Sequence, residues 1–260
     1  MSGADRAAYL QGLLTNDIAA LGAGQGCYAA YLTPQGRMIA DMHVYELGDA
    51  VLLTTTGAVK DRLLTKLDRS VFAEDVRLGD LTDTWAQLAV IGPQAAPVIA
   101  SLVGGIPAQA LAGAGVPRID DRVADTIRIE AGIPLFHRDM DEETIPLEAG
   151  IESRAISFTK GCYVGQEVIV RVLHRGHGRV ARKLVGLRLD GDRVPDAGTA
   201  VTAGDRDVGR VTSGTWSPAL KRPIALAYVH SDFVAAGTAV AVDGIAAEVA
   251  ALPFVPPTTS

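Results

Sequence analysis

The chain has 260 residues, 48% of them hydrophobic, and carries a net charge of −6. This length fits one large domain or two ordinary ones, and the acidic balance argues against non-specific nucleic-acid binding while leaving room for a local basic patch. No apolar run approaches the roughly 20 residues needed to cross a bilayer, and the first residues lack the basic and apolar segments of a secretory signal. We therefore expect a cytoplasmic protein that neither enters a membrane nor binds nucleic acid directly.

Helical and strand patterns alternate along the first half of the chain. Apolar residues at helical spacing run from Asp5 to Leu21, and the helix is expected to break near Thr15 to Asp17, where cap-type residues cluster. Two apolar runs on either side of "PQG" predict a β-hairpin. The elements predicted after it are a strand at 50–56, a helix at 58–72, a strand at 84–92, a helix at 93–104, an exposed loop at 104–118 and a strand at 122–130.

The second strand of the hairpin places an acid and a histidine on one face. Alternate residues of a strand share a face, so Asp41 and His43 lie together with Ile39 and Tyr45. Such a pair can line a cavity or face solvent, and the sequence leaves the two outcomes equally open. The opposite face carries Met38, Ala40, Met42 and Val44.

The pattern changes near residue 180, where short apolar runs separated by Gly, Asp and Pro replace the helical spacing. This is typical of a small β-sandwich or barrel. We therefore expect an α+β region at 1–179, open to division into two subdomains, a β-barrel at 180–255 and a frayed tail at 256–260. Within the first region, the acidic cluster from Asp139 to Glu143 is predicted to be a solvated loop.

The stretch "KGCYVGQE", residues 160–167, contains one of the two cysteines of the chain. A helix predicted to start near Gly165 or Gln166 would place Cys162 by its N-terminus, where the helix dipole and Lys160 favour the thiolate. The alternative for Cys162 is a buried structural cysteine. Glu167 and Arg171, at i, i+4 spacing, fit an exposed ion pair. Without a secretory signal, a disulfide with Cys27 is less expected than two reduced thiols.

Metal and nucleotide chemistry find little support in the sequence. His174, His177 and Cys162 do not have a standard zinc spacing, and arginines flank the histidines, so we expect no metal site. The glycine-rich phosphate-binding motifs and the G-x-S-x-G motif of hydrolases are missing from the sequence.

Glu130 ends the strand predicted at 122–130. A carboxylate offers two acceptors in one plane, which suits the N–H edge of an amino-pyrimidine. Arg171 and Arg175 are candidates for binding the carboxylates of an acidic ligand, although exposed side chains are the commoner outcome for such residues.

The stretch "KGCYVGQEVIVR" resembles the signature K-G-C-[FY]-x-G-Q-E-x-x-x-[RK] of the YgfZ-type folate-binding proteins at every fixed position. The segments "LQGLLTND", "TPQGRMIADMHVY", "AVIGP" and "RIEAGIPLFHRDM" are similar to the wider family of the glycine-cleavage T protein, an aminomethyltransferase. "VGRVTSGTWSPAL" and "IALAYV" are similar to the C-terminal barrel of that family.

This resemblance implies an α+β, aminomethyltransferase-like folate-binding body followed by a small C-terminal β-barrel, with tetrahydrofolate or a one-carbon derivative as the cofactor. It implies a catalytic group consisting of Cys162, Lys160 and Asp41. The residues it assigns to the cofactor are Glu130, Arg171, Tyr163 and Gln166. Ala40 replaces one acid of the T-protein pair.

Two functions follow from the resemblance. The first is an accessory factor, uncertain as an enzyme, that supports assembly or repair of iron–sulfur clusters in client proteins, including tRNA-modifying enzymes, through Cys162. The alternative is a folate-dependent aminomethyl or one-carbon transferase. The missing second acid favours the first, and the surviving Asp41 favours the second.

Overall fold

A computed structural model describes residues 1–84, 87–101, 108–174 and 179–256 of the chain. The helices are α1 Arg6–Leu13, α2 Gly57–Arg69, α3 Ala95–Ser101, α4 Ala108–Gly113, α5 Asp121–Glu130, α6 Pro146–Ala149, α7 Glu152–Ala155 and α8 Gln166–His174. The strands are β1 Gly26–Leu32, β2 Met38–Glu46, β3 Val51–Thr54, β4 Arg182–Leu189, β5 Ala200–Ala203, β6 Arg206–Ser217, β7 Arg222–His230, β8 Ala239–Val242 and β9 Ile245–Ala250.

The predicted hairpin is present and forms the centre of the body. Strands β1, β2 and β3 pair antiparallel in that order. Gly36 closes the β1–β2 turn with a φ of 75°, a backbone conformation that glycine adopts without strain. The predicted second helix is also present as α2, which buries Val59, Leu63 and Leu67 at helical spacing.

The C-terminal region folds into a closed barrel with the strand order β4-β7-β6-β5-β8-β9, and β9 pairs back with β4. Strand β7 is buried on both faces. Ala225, Ala227 and Val229 face the barrel interior, whereas Leu226 and Tyr228 belong to a second apolar cluster that includes Ile129 of α5. The predicted fold class, an α+β body followed by a small β-barrel, is confirmed.

A buried ion pair joins the body to the barrel. The Asp139 side chain is fully buried, and its Oδ2 accepts a hydrogen bond from Arg128 Nη1 at 2.7 Å. Its Oδ1 accepts from the hydroxyls of Thr212 at 2.5 Å and Ser213 at 2.7 Å. The β6–β7 register shifts between Val211 and Ser213, and this irregularity brings two consecutive side chains of β6 to one carboxylate. The prediction of a solvated acidic loop is therefore wrong for Asp139.

The segment predicted as a strand at 122–130 is helix α5, so that prediction is wrong. The alternation of apolar and polar residues in "RVADTIRIE" also fits an amphipathic helix. Asp120 provides the deciding signal, because its side chain accepts a hydrogen bond from Val123 N and caps the helix.

Three further predictions change in the structure. Helix α1 ends at Leu13, close to the break expected near Thr15 to Asp17, but residues 14–21 form no second helical stretch, and Leu14 makes an isolated bridge to Tyr31. Residues 87–92 of the strand predicted at 84–92 form no strand, and Trp85 lies outside the described residues. Part of the predicted 104–118 loop is helix α4, while residues 104–107 fall outside the described part.

We expect Asp139→Asn to lower the free energy of unfolding by about 3–5 kcal/mol, because it removes the fully buried charge that faces Arg128 and puts an amide N–H group among donors, although Asp125 stays paired with Arg128 at 2.8 Å. Glu143→Gln is the matched control in the same acidic cluster; its side chain is 72% exposed, and we expect a change of about 0.5 kcal/mol or less. Urea denaturation of both variants measures the difference. Equal stabilities would contradict a structural role for the Asp139 pair.

Candidate functional site

Asp41 shares a face of β2 with His43, as the strand pattern predicts, and this part of the face turns away from the core. Ala40, Met42 and Val44 are fully buried against the core, whereas Asp41 is half-buried and His43 is exposed. The residue opposite Asp41 on β1 is Ala30, which is fully buried.

Tyr28 of β1 holds this carboxylate. Its hydroxyl donates a hydrogen bond to Asp41 Oδ2 at 2.7 Å. Tyr28 pairs with His43, so its ring reaches diagonally across the sheet face to Asp41. The rings of Tyr28 and His43 have centroids 5.2 Å apart, and His43 and Tyr45 are stacked at 6.3 Å. Together these rings form an aromatic surface beside the acid.

Two polar residues complete this surface. The Arg154 guanidinium lies over the Tyr28 ring, 5.5 Å from its centroid. Asn16 Nδ2 donates to the carbonyls of Tyr28 at 2.8 Å and Arg154 at 3.0 Å, and so ties α7 to β1. Sequence reasoning missed Tyr28, Asn16 and Arg154, because only the folded structure brings Tyr28 and Arg154 to Asp41 and Asn16 to both of them.

The environment of Asp41 shifts its acidity. Burial raises the pKa of the carboxyl above its ordinary value, and the Tyr28 hydroxyl together with the nearby His43 and Arg154 partly oppose this rise. Burial and the neighbouring carboxylate in turn raise the pKa of Tyr28, so its hydroxyl remains a donor. The pair is thus a carboxyl with a raised pKa and a fixed donor.

A partly apolar cavity of about 710 Å³ is lined by β3, the end of β2 and α2, and its lining does not include Asp41, Tyr28 or His43. Thr55 lines the cavity, and its Oγ1 donates to the backbone carbonyl of Asp41 at 2.8 Å. Tyr45 lines the cavity from β2, and Leu63 and Leu67 line it from α2. The volume lies within the usual range for small-molecule sites.

Lys160 has a structural position. Its ammonium is buried and donates to the carbonyl oxygens of Gln11 and Leu14, each at 2.7 Å, and of Asn16 at 2.9 Å. These three acceptors use all three N–H donors and satisfy carbonyls around the end of α1. Burial lowers the pKa of Lys160 to about 8. The predicted catalytic role of Lys160 gains no support from this geometry.

The other residues of "KGCYVGQE" divide between the core and the surface. Tyr163 is 7% exposed and packs in the body core, which leaves it little surface for the cofactor contact predicted for it. Gln166 begins α8, as predicted for this helix, and is partly buried. Gly165 has a φ of 83°, and a Cβ there would lie 2.5 Å from the Thr33 carbonyl, so the motif packs directly on the hairpin turn. Cys162 is exposed in the loop before α8.

The remaining predicted residues occupy separate places. Arg171 is 58% exposed and pairs with Glu167 at 2.5 Å, the i, i+4 pair expected from the sequence. Glu130 Oε1 accepts from the Ser217 hydroxyl at 2.5 Å, so this carboxylate faces the barrel. Among the described residues, no hydrogen bond joins Glu130 to Asp41, and the cavity beside Asp41 is not lined by Glu130. Its predicted pterin contact therefore stays a prediction.

Cys27 and Cys162 are both free thiols. The positive charge of Lys160 acts on the partly buried Cys27, although burial is the larger effect and raises the pKa of that thiol. No group of three or more potential metal ligands occurs in the described part of the chain. His177 and Arg175, two residues considered from the sequence, lie outside it. Across the described ranges, no helix is both long and apolar enough to span a bilayer.

We expect Lys160→Met to lower the free energy of unfolding by about 2–4 kcal/mol, because it leaves buried carbonyls at the end of α1 without donors. Cys162→Ala, two residues away and exposed, should change it by about 0.5 kcal/mol or less. Urea denaturation at pH 7 compares the two. If both variants are as stable as the wild type, the three hydrogen bonds of Lys160 contribute nothing to the fold.

A second expectation concerns pH. Because the pKa of Asp41 is raised on folding, the folded protein keeps this proton to higher pH than the unfolded chain does, and the group lowers stability as the pH rises above about 4. Asp41→Asn removes the effect, so its stability relative to the wild type should increase between about pH 3.5 and pH 7. Tyr28→Phe removes a donor to the ionised form and should steepen the loss in stability. A pH-independent difference between Asp41→Asn and the wild type would contradict the shift.

Comparisons with known proteins agree with this architecture. Residues 1–120 match the GCVT N-terminal domain, and residues 182–256 match the glycine cleavage T-protein C-terminal barrel domain. The aminomethyltransferase of Rubrobacter xylanophilus is 33% identical over 87% of this chain and 72% of its own length. That of Streptomyces avermitilis is 32% identical over 98% and 82%.

A solved structure has the same fold. The crystal structure of the glycine cleavage system aminomethyltransferase T from Bartonella henselae superposes with a TM-score of 0.83 at 23% identity, covering 98% of this chain and 82% of that one. The chain therefore belongs to the family of the glycine cleavage T-protein, whose members bind tetrahydrofolate and its one-carbon derivatives.

Proposed function

We propose that the protein binds tetrahydrofolate or a one-carbon derivative beside Asp41 and transfers a one-carbon unit at that site. The observation that carries this proposal is the half-buried Asp41 carboxylate, held by the Tyr28 hydroxyl. A partly apolar cavity lies nearby, and Thr55, which lines it, binds the backbone carbonyl of Asp41. Family membership supports the ligand, and relatives named as aminomethyltransferases support the reaction class.

The residues around Asp41 fit a folate. A pterin is a flat ring with N–H donors on one edge. The rings of Tyr28 and His43 offer an aromatic surface, and the Asp41 carboxylate is an acceptor at its border. Folate supplies the nitrogen that accepts the one-carbon unit.

In this proposal the chain itself handles the proton. Asp41 holds or accepts a proton at its carboxylate, and its raised pKa moves that step toward neutral pH. Tyr28 fixes the orientation of the carboxylate through its hydroxyl, and Thr55 holds the Asp41 backbone. Arg154, over the Tyr28 ring, adds positive charge that supports the ionised form of Asp41.

A second candidate function keeps the accessory role for iron–sulfur proteins and the membership of the YgfZ-type branch. The exposed position of Cys162 in the complete "KGCYVGQE" motif favours it, because an accessible thiol can react with a partner. The names of the relatives give more support to the transferase. Folate binding is common to both candidates.

The first experiment is anaerobic calorimetric titration with tetrahydrofolate. We expect saturable binding that Tyr28→Phe weakens moderately. Turnover is then measured with tetrahydrofolate and an aminomethyl-loaded lipoyl carrier protein, with release of ammonia as the readout. If Asp41 is the acid–base group, Asp41→Asn should lower kcat by about 100-fold or more. Binding without turnover in the wild type would reject the transferase and keep folate binding.

Cys162→Ala separates the two candidates. A transferase centred on Asp41 should keep its turnover in this variant, because the thiol lies in a loop outside the Asp41 site. The accessory function predicts that cells carrying Cys162→Ala lose activity of an iron–sulfur enzyme while the protein stays folded. Full activity of such enzymes in these cells would reject the role of the thiol.

A further inference from the structure

A second cavity, of about 240 Å³, lies where the body meets the barrel, away from Asp41. Strand register brings together the side chains that line this cavity on the side of the barrel. Arg210 of β6 and Leu184 of β4 are the direct partners of Tyr228 on β7, and opposed residues share a face. Arg182 is two residues before Leu184 and projects from the same face. Register therefore brings Arg182, Arg210 and Tyr228 to one patch on the outside of the barrel.

The Tyr228 side chain lines this cavity, and its hydroxyl is buried without a hydrogen-bond partner among the described residues. Tyr228 is 7% exposed and lines the cavity, yet its hydroxyl makes no hydrogen bond of normal geometry with a described residue. A buried hydroxyl without a partner costs stability. Burial also raises the pKa of Tyr228, with only a partial opposing effect from the nearby Thr144 and Arg182, so the hydroxyl remains a donor at neutral pH.

Both arginines keep donors for a ligand. Arg182 uses Nε on Glu148 at 3.1 Å, and its guanidinium carbon lies 4.7 Å from the centroid of the Tyr228 ring, which fixes both side chains. Arg210 Nη1 donates a hydrogen bond to the Gly198 carbonyl at 2.9 Å. Within the described structure, the other guanidinium N–H groups of both residues make no hydrogen bond. They are free to donate into the cavity.

The acidic side chains of the cavity are largely occupied. Asp139 accepts two hydrogen bonds at each oxygen, from Arg128 and Leu135 N at Oδ2 and from Thr212 and Ser213 at Oδ1. Asp141 Oδ1 accepts from Glu143 N and Thr144 Oγ1. The groups that remain available are therefore mostly donors.

We propose that this cavity binds the oxyanion of a small molecule, a phosphate or carboxylate group, through Arg182, Arg210 and the Tyr228 hydroxyl. Guanidinium groups match the planar or tetrahedral oxygens of such anions, and charge-assisted hydrogen bonds to them are the stronger kind. An anion in this position contacts both the body loop at 137–144 and the barrel. Its binding stabilises the arrangement of the two.

The test is calorimetric titration of the whole chain with inorganic phosphate and, separately, with malonate, at constant ionic strength to remove general screening. We expect saturable binding of at least one anion, and the tighter of the two identifies the group that the cavity selects. Arg210→Gln should weaken that binding about tenfold or more, and Tyr228→Phe by about threefold to tenfold. Arg193→Gln, an exposed arginine of the barrel region paired with Asp243, is the matched control and should bind as the wild type does.

Stability measurements give an independent readout. Without anion, Tyr228→Phe should melt at or above the wild-type temperature, because it removes a buried hydroxyl that has no partner. With anion, the wild type should gain thermal stability and Arg210→Gln should gain little. The proposal is overturned if neither anion binds saturably, if all variants bind equally, or if Tyr228→Phe loses stability in anion-free buffer.

Discussion

The arrangement of body and barrel depends on the buried carboxylate of Asp139. It receives a guanidinium from α5 and two hydroxyls from β6, so one side chain of a loop connects a helix with the barrel wall. Ionised groups without water are unfavourable unless their hydrogen-bonding capacity is used, and here both oxygens are used twice. This requirement fixes the position of α5 on the barrel, and with it the positions of Glu130 and of the cavity beside Tyr228.

The "KGCYVGQE" motif mainly holds α1 and the β1–β2 hairpin in place in this structure. Lys160 holds the end of α1, Gly165 lets the chain pass against the hairpin turn, and Tyr163 fills the core. The sequence suggested that the lysine would activate Cys162. The geometry separates these residues: Lys160 is bound to carbonyls, while Cys162 is exposed. Several residues of a motif that suggests catalysis can therefore serve packing and hydrogen bonding in the fold.

Structure was predicted most accurately from the sequence where the apolar residues follow one clear period. The alternation around Asp41, the helical spacing of α2 and the start of α8 all appear in the structure. Residues 122–130 were wrongly predicted as a strand, because the apolar residues of so short a stretch fit both the strand and the helix period. Only the helix cap at Asp120 distinguishes the two. The contacts of Asp139 and Lys160 were not predictable, because each joins segments far apart in the chain. The contact between Tyr28 and Asp41 crosses the predicted hairpin and depends on the strand register, which the sequence does not show.

Strand geometry also changes what the absence of an acid at position 40 implies for one-carbon transfer. Ala40 and Asp41 are consecutive in β2, so their side chains point to opposite faces of the sheet. Ala40 is fully buried in the apolar core, whereas Asp41 faces the aromatic surface with Tyr28 and His43. In this structure an acid at position 40 would place a charge in the core, on the other side of the sheet from Asp41. The alanine therefore removes no group from the face that would meet a folate, and the loss of the acid pair by itself does not argue against one-carbon transfer at Asp41.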